Sequence, residues 1–512
     1  MRSLLILVAM SGSLLAASFT TSPLSRRGHS LPGLTPLPKP TEYHHHRSAA
    51  VDTALPLLRG GATSLASFLE TPQSLFHSSL VALALLTVCF KVLTRDTTGN
   101  TTAKPVAIQA RQRKFLAVFW LLRCADWLQG PYFYEVYASK IIGGVQASMA
   151  LVSRLFLTGF ASTALFGPSV GRAADQYGRK KATLVFTILY ALGAMSTQST
   201  LLTLLFLGRV LSGIGTSLLF SAPESWLVGA FQKEGDDPDG TYLGETFGMA
   251  YAGDSVVAIT AGQLAAYAAS SRGPTGPFEL STVFLLVGGL LASLLWKENV
   301  ADSVNEKGPS ISDAIQVVKK DPKIVMVGGV QSLFEAAMYI FVLQWPPAAA
   351  KAIANRFGAG TATPYGTIFS CFMACCLLGS TLFGQLAKMG VATETSATAM
   401  LAVATVAMTA ATSWTMAPAG ISLLGVMAAF FVFEACVGMY FPSIGTLRSK
   451  YIPDSHRSVI MNLFGIPLNV LVVSVFLSIQ RLGLQGALSI SSGALAVATL
   501  CMIRLRSLIA KA

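Results

Sequence analysis

The chain has 512 residues and a formal net charge of +13, with 53% hydrophobic residues and only 12% charged residues. A soluble globular domain is about 25% charged, so this composition excludes a water-soluble protein and indicates an integral membrane protein. The basic residues stand in short clusters between apolar runs, which argues against nucleic-acid binding and is typical of cytoplasmic loops.

The N-terminal region contains address-like sequences and one additional apolar segment. Residues 1–19 resemble a secretory signal, because one arginine precedes an apolar core and small residues. Residues 20–74 are rich in Ser, Thr, Pro and Arg, which predicts either a disordered tail or a plastid transit sequence. Residues 75–93 predict an extra membrane helix, and residues 94–114 predict a polar cytoplasmic linker. We expect residence in the cell membrane, with a plastid or other internal membrane as the alternative.

From Phe115 onward, apolar runs of membrane-spanning length alternate with short loops. The predicted spans are 115–137, 147–170, 182–199, 201–221, 245–269, 279–297, 324–345, 365–386, 396–414, 420–441, 458–478 and 484–504. A cytoplasmic loop at 299–323 separates an N-terminal half, residues 115–298, from a C-terminal half, residues 324–512. Loop cations favour one side by roughly four to one, so that side is predicted to be cytoplasmic. The predicted fold class is an all-α membrane protein with twelve transmembrane helices in two six-helix halves, plus the extra helix.

The loop after the second span reads GRAADQYGRKK, residues 171–181. Glycine allows helix ends to approach closely, and an aspartate near a helix terminus can pair with a basic residue. The spacing resembles the G-x-x-x-D-x-x-G-R-K/R loop of the major facilitator superfamily, which implies a latch that opens and closes as the halves move. The alternative is an ordinary basic loop. The predicted gating residues are Gly171, Asp175, Gly178, Arg179 and Lys180.

Several further segments are together similar to the molybdate-anion transporter family, a branch of the major facilitators. These segments are RCADWLQGPYFYEVY (123–137), LLFSAPESW (218–226), VQSLFEAAMYIFVLQWPP (330–347), GTIFSCFMACCLLGS (366–380) and FEACVGMYFPSIGTLRSKYIP (433–453). The resemblance covers residues 115–480 and includes the extra helix. It implies secondary active uptake of molybdate, a doubly charged tetrahedral oxyanion, by alternating access.

Ionic side chains inside the spans indicate where a solute could bind, because they are costly in lipid and usually face a cavity. Arg123 and Asp126 lie three residues apart on one helix face, where they either contact the solute or form a purely structural pair. Guanidinium groups match the geometry of an oxyanion. The predicted substrate-binding residues are Arg123, Asp126, Gln129, Tyr132, Arg209, Gln331 and Glu335.

Import of a dianion into a cell that is negative inside needs a coupled cation or a steep gradient. Because burial disfavours an ionised carboxylate, a buried carboxyl can carry a proton. The predicted proton carriers are Asp126 and Glu335, with Asp254 and Glu434 as secondary candidates. For Glu335 the alternative is a simple interhelical hydrogen bond.

Other function classes lack a matching motif in the sequence. We find no nucleotide-binding loop, catalytic constellation or metal-ligand spacing, so we expect neither an enzyme nor a cofactor or metal. The seven cysteines are expected to be free packing residues. The expected partners are a small oxyanion and the lipid bilayer, and the expected state is a monomer. The same fold could instead transport sulfate, phosphate or a sugar-like solute, and a channel or receptor is the remaining alternative.

Overall fold

The computed structural model describes residues 70–93, 104–234, 237, 240–300, 311–417, 420–453 and 456–511. The signal-like segment and nearly all of the predicted transit-like region lie outside these ranges, as do residues 94–103 of the predicted linker. The described residues are mostly helical, as expected for apolar segments that must satisfy their backbone hydrogen bonds internally in lipid.

Nine α-helices are described in the extra helix, the linker and the N-terminal half, within residues 70–93, 104–234 and 240–300. The extra helix α1 spans Pro72–Leu93. The first span consists of α2, Val106–Gln129, a 3-10 turn, Gly130–Tyr132, and α3, Phe133–Ala138. A small antiparallel hairpin follows, with β1 at Ile141–Ile142 and β2 at Val145–Gln146. The second to sixth spans are α4 (Met149–Tyr177), α5 (Arg179–Ser196), α6 (Leu202–Leu219) continued by α7 (Ala222–Glu234), α8 (Thr241–Arg272) and α9 (Gly276–Leu295).

The C-terminal half follows a short connecting helix. This helix, α10, covers Ile311–Lys320. The seventh to twelfth spans are α11 (Pro322–Phe357), α12 (Tyr365–Lys388), α13 (Thr393–Thr415), α14 (Leu423–Tyr451), α15 (Arg457–Leu477) and α16 (Ile479–Ala510).

These helices correspond to the twelve predicted spans and the extra helix. Ten helical stretches among the described residues are long and apolar enough to cross a bilayer, and one of them, Thr241–Leu295, contains both α8 and α9. The first and third spans are not among the ten stretches. Both contain ionic residues, which lower their hydropathy.

Several helices extend beyond the predicted apolar runs. The first span begins at Val106, so residues 106–114 of the predicted linker are helical. Helix α10 lies within the predicted central loop. The seventh span continues to Phe357 and the tenth to Tyr451. Hydropathy locates only the apolar part of a helix, whereas the backbone hydrogen-bond ladder continues into polar sequence.

Each half has its own aromatic core. In the N-terminal half, Trp226 and Trp296 stack with ring centroids 4.1 Å apart. In the C-terminal half, Phe334 and Tyr440 stack at 4.0 Å. The extra helix places Leu83 in a cluster with cysteines of the eighth span, such as Cys371. Apolar area buried in this way stabilises each six-helix unit separately.

We call the end of the molecule with residues 171–181 the latch end, and the opposite end, with Gly130–Ala138, the far end. The two halves meet between the middle of the molecule and the far end. The ring centroids of Phe160 in the second span and Tyr339 in the seventh lie 4.6 Å apart. Those of Phe156 in the second span and Phe476 in the eleventh lie 5.5 Å apart. No ion pair between two described residues joins the N-terminal half to the C-terminal half.

Candidate substrate site and gates

Arg123 in the first span is held by Asp254 of the fifth span. Its Nε and Nη2 donate to the two Asp254 carboxylate oxygens at 3.0 and 2.9 Å. The Trp127 indole also donates to Asp254, at 2.8 Å. The rings of Trp127 and Phe220 lie 4.9 and 5.2 Å from the guanidinium carbon. The firmest partner of Arg123 is therefore on another helix, which spacing along a single helix could not indicate.

Asp126 links the same cluster to the third span. Its Oδ2 lies 3.5 Å from Arg123 Nη1, and its Oδ1 accepts a 2.5 Å hydrogen bond from the Tyr190 hydroxyl. The Asp126 side chain is 19% exposed, compared with 11% for Asp254, so Asp126 is the more accessible carboxylate. We call Arg123, Asp126, Trp127, Tyr190 and Asp254 the N-terminal cluster. With both carboxylates ionised, its formal charge is negative.

A second cluster lies in the other half, between the seventh and tenth spans. Glu335 Oε1 accepts hydrogen bonds from Arg448 Nη2 at 3.0 Å and from the Tyr440 hydroxyl at 2.9 Å. Arg448 Nε donates to Gln331 Oε1 at 3.0 Å. The side chains of Arg448 and Glu335 are 22% and 18% exposed, so neither is fully buried. We call Gln331, Glu335, Tyr440 and Arg448 the C-terminal cluster.

Two other predicted substrate residues lie outside these clusters. Gln129 is buried and donates to Ser281 Oγ at 2.9 Å, which ties the first span to the sixth. Tyr132 lies at the far end, with its ring 5.7 Å from that of Tyr365 of the eighth span. The structure therefore places Gln129 in helix packing and Tyr132 at the interface between the halves.

Arg209 and Glu434 are also separate from the clusters. Arg209 stacks on Phe133, with its guanidinium carbon 4.4 Å from the ring centroid. Glu434 is buried in the contact between the eighth and tenth spans, where Cys376 Sγ donates to its carboxylate at 2.9 Å. The sequence predicted Arg209 as a substrate-binding residue and Glu434 as a secondary proton carrier. A helix that lines a cavity still turns other residues toward its neighbours.

The predicted latch residues come together at the junction of the second and third spans. Asp175 Oδ1 accepts a 2.8 Å hydrogen bond from Arg179 Nε. The backbone N–H groups of Lys180 and Lys181 donate to the carboxylate of Glu298 at 2.9 and 3.0 Å. Glu298, at the end of the sixth span, thus satisfies free N–H groups at the start of α5.

Two glycines of the latch have different environments. Gly178 adopts φ 122°, and a Cβ there would collide with the Glu298 carboxylate. This position therefore requires glycine both for its backbone conformation and for the space it leaves. Gly171 has no heavy atom near its Cβ position, so in this conformation nothing packs against it.

A polar contact joins the two halves at the far end. The Tyr365 hydroxyl donates a 3.1 Å hydrogen bond to Glu135 Oε2, linking the eighth span to the first. Trp345 of the seventh span packs edge-on against the Tyr365 ring at 5.9 Å. Tyr365 thus joins the halves through a ring contact with Tyr132 and a hydroxyl–carboxylate hydrogen bond to Glu135, and no ion pair between described residues joins the halves there.

Some residues that shape these sites were not predicted from the sequence, among them Tyr190, Glu298, Tyr440 and Arg448. Arg448 lies outside the predicted tenth span because the apolar run ends near Phe441, although the helix continues to Tyr451. Tyr190 and Tyr440 could have been noticed as hydroxyl groups within otherwise apolar runs. Glu298 gives no such signal, since a glutamate after a span is usually solvated.

Comparisons with known proteins agree with this architecture. A family model, MFS_5, described as sugar transporters with 12 transmembrane segments, matches residues 75–490. A molybdate-anion transporter of Xenopus tropicalis is 27% identical over 421 residues, covering 81% of this chain and 89% of the relative. One from Danio rerio is 28% identical over 437 residues, covering 77% and 85%.

Solved structures of other transporters have the same fold. A peptide transporter POT in complex with sulfate has a TM-score of 0.62 at 14% identity, covering 81% of this chain and 96% of the other. A variant of the nucleoside transporter NupG has a TM-score of 0.60 at 13% identity, covering 77% and 99%. At these identities the likeness shows the fold alone.

The family match extends over most of the chain and includes the extra helix. The predicted fold class and the predicted resemblance to molybdate-anion transporters are both confirmed. Because this family consists of transporters, the prediction that the chain is not an enzyme is also confirmed. The chain belongs to the MFS_5 family of twelve-span membrane transporters within the major facilitator superfamily.

Proposed function

We propose that the chain is a secondary active transporter that takes up molybdate, or a closely related tetrahedral oxyanion, together with protons. The observation that carries this proposal is a guanidinium–carboxylate pair in each half, Arg123–Asp254 and Arg448–Glu335. The curated relatives named as molybdate-anion transporters support the same solute.

Arg448 is the residue best suited to capture the anion. Its guanidinium is partly exposed and binds Glu335 through a single 3.0 Å contact, so an oxyanion can replace that carboxylate. Guanidinium presents a planar fork of donors that fits two oxygens of a tetrahedral anion. Gln331 and Tyr440 already bond to this pair and can donate to further oxygens once it opens.

Protonation of Glu335 would couple the anion to a proton. A neutral Glu335 holds Arg448 less strongly, which frees the guanidinium for the solute. The proton also offsets part of the charge of the dianion, which the membrane potential repels. We assign Asp126 as a second carrier, because it is accessible and bonds to Arg123 only at 3.5 Å. Asp254 and Glu434 are less suitable, since one is locked to Arg123 and the other lies between packed helices.

Alternating access requires that the two ends open in turn. The contacts between the halves lie toward the far end, including Tyr365–Glu135 and Phe160–Tyr339. At the latch end, Asp175 is 41% exposed and pairs only within its own half. We propose that this conformation is closed at the far end and open at the latch end. In the opposite state, the latch residues Gly171, Asp175, Gly178, Arg179 and Lys180 would meet the other half.

We place the latch end in the cytoplasm, because the loop cations concentrate on that side. The cell membrane is the proposed location. A single chain contains both halves and both clusters, so we propose a monomer as the transporting unit.

One specific observation favours a second solute class, namely the description of the family model as sugar transporters. A neutral sugar would not need the partly exposed guanidinium of Arg448, whereas an anion would bind it directly. Sulfate and phosphate remain close competitors of molybdate because they share its tetrahedral shape.

Uptake of labelled molybdate into proteoliposomes tests the proposal. We expect saturable uptake that rises when the outside is acidified, and competition by unlabelled molybdate but not by glucose. Excess sulfate in the same assay ranks the two oxyanions. Uptake of a labelled sugar, combined with no uptake of molybdate, would contradict the proposal.

A further inference from the structure

Two glycines bring the backbones of the two halves into direct contact toward the far end. Gly262 of the fifth span (α8) and Gly366 of the eighth span (α12) are both buried. A Cβ at Gly262 would lie 2.7 Å from the Gly366 carbonyl oxygen, and a Cβ at Gly366 would collide with the Gly262 carbonyl oxygen. Because the smallest side chain would already overlap with the opposite backbone, only glycine allows the two helices to meet at this distance.

The residues one turn further along both helices are also small. Ala266 follows Gly262 by four residues, and Ser370 follows Gly366 by four. Small residues four positions apart are the arrangement by which membrane helices pack at close range. A Cβ at Gly366 would also lie 2.7 Å from the backbone nitrogen of Ala266 and 2.9 Å from its Cβ, so the close approach extends over a full turn.

Ser370 adds hydrogen bonds between the halves at the same place. Its hydroxyl donates to the Ile259 carbonyl oxygen at 2.8 Å and accepts from Gln263 Nε2 at 2.9 Å. Ser370 is fully buried, so these bonds are shielded from water. We call Gly262, Gln263, Gly366 and Ser370 the glycine contact.

Other close approaches at glycine lie inside one half. A Cβ at Gly379 would collide with the carbonyl oxygen of Ala435, and a Cβ at Gly438 would collide with that of Cys376. Both contacts join the eighth span to the tenth, and a rigid-body motion of one half against the other leaves them intact. The glycine contact joins the fifth span to the eighth, so it must break whenever the halves separate at the far end.

We propose that the lack of a side chain at Gly262 and Gly366 is what permits the far end to close. A methyl group at either position would hold the halves apart there and shift the molecules toward the far-end-open state. Each half would still fold, because its aromatic core lies within that half. The inference rests on the alternating access of the proposed function, but it does not depend on which solute is carried.

Distances between spin labels on the two halves test this role without any solute. One pair of labels at the far end would replace Val145 and Ala359, and one pair at the latch end would replace Lys233 and Met389, all of which are exposed. Reactive native cysteines would first be replaced by serine. Double electron–electron resonance on the purified full-length chain then gives the ratio of open to closed molecules at each end.

Adding one methyl group at the glycine contact should change both distances in opposite directions. G366A should raise the ratio of far-end-open to far-end-closed molecules about tenfold or more, because overpacking a close contact costs free energy of this order. The far-end distance should therefore lengthen and the latch-end distance should shorten. G262A should act in the same direction. S370A removes the hydrogen bonds without adding bulk and should shift the ratio less, by about threefold.

Two further glycine substitutions are matched controls. G493A lies at an exposed position of the twelfth span with no heavy atom near its Cβ, so it should change neither distance. G379A introduces a clash with Ala435 inside the C-terminal half. It should lower Tm without shifting the ratio of open to closed molecules.

The proposal is overturned if folded G366A and G262A keep the wild-type distances, or if G379A shifts them as much as G366A does. If neither glycine variant folds, S370A decides, and wild-type distances in S370A would overturn the proposal. Failure of the proposed solute gives a different result. In that case wild type takes up no molybdate, whereas the distances in G366A and S370A still shift as expected.

Discussion

The N-terminal and C-terminal clusters both pair an arginine with a carboxylate, but they hold it very differently. Arg123 makes two hydrogen bonds to Asp254 under Trp127 and Phe220, and its side chain is 9% exposed. Arg448 is 22% exposed and makes only one contact to Glu335. Removing one partner of a buried bidentate pair strongly destabilises the folded protein. A more exposed ion pair contributes little to stability, so it can be opened at low cost. We infer that the Arg123–Asp254 pair stays intact during transport, whereas the Arg448–Glu335 pair opens to bind the solute.

The largest effect should come from breaking the fixed pair. D254N leaves Arg123 buried without its bidentate partner, which should lower the free energy of unfolding by about 3 kcal/mol. Thermal melting of the purified protein measures this loss. D126N is the matched control in the same cluster and should cost less, because Asp126 lies 3.5 Å from Arg123. Equal losses in the two variants would contradict the distinction between them.

The next largest effect should appear in transport rather than in stability. R448Q removes the exposed guanidinium and should lower kcat/KM for molybdate uptake about 100-fold, equivalent to about 2.7 kcal/mol. R356Q, at an exposed site near the end of the seventh span, is the control and should transport normally. Normal uptake by a correctly folded R448Q protein would show that the C-terminal cluster does not bind the anion.

Proton coupling distinguishes the two clusters further. In wild type, each coupled proton should raise steady-state accumulation about tenfold per unit of pH difference, equivalent to about 1.4 kcal/mol. E335Q cannot take up that proton, so its accumulation should respond less steeply to an imposed pH gradient. Y440F removes a hydrogen bond to the same carboxylate but keeps the proton site, and it should retain the gradient response. An unchanged slope in E335Q would assign the coupling to Asp126 or to another group.

The smallest effect should be at the far end. Y365F removes the hydroxyl contact to Glu135 and should favour the far-end-open state by about 1 kcal/mol. Labelling of a cysteine introduced at Tyr132 would report this change as faster modification from the far side. Y267F, on a side chain that is 73% exposed, is the control. No change in the labelling rate would mean that this hydrogen bond does not help to close the far end.

Much of the fold could be predicted from the sequence because lipid imposes a strong pattern. Apolar length and loop charge gave the twelve spans and their division into two halves. The helix ends could not be placed in this way, as shown by Val106 and Tyr451, because helical hydrogen bonding continues beyond the bilayer core.

The candidate site could be predicted only in part. Intramembrane charge marked Arg123, Asp126 and Glu335, and the structure brings each of them into a cluster. The partners of these residues could not be found, because Asp254 and Arg448 are more than a hundred residues distant in sequence and depend on helix rotation. Gln129 and Glu434 were predicted on the same basis, and the structure places both in contacts with neighbouring helices.

Locating bound molybdate tests the central claim most directly, because molybdenum scatters X-rays strongly and can be identified by its anomalous signal. We predict a molybdenum peak next to the Arg448 guanidinium, with Glu335 displaced from that guanidinium and the Arg123–Asp254 pair intact. A peak elsewhere, or bound molybdate with the Arg448–Glu335 contact unchanged, would contradict the account.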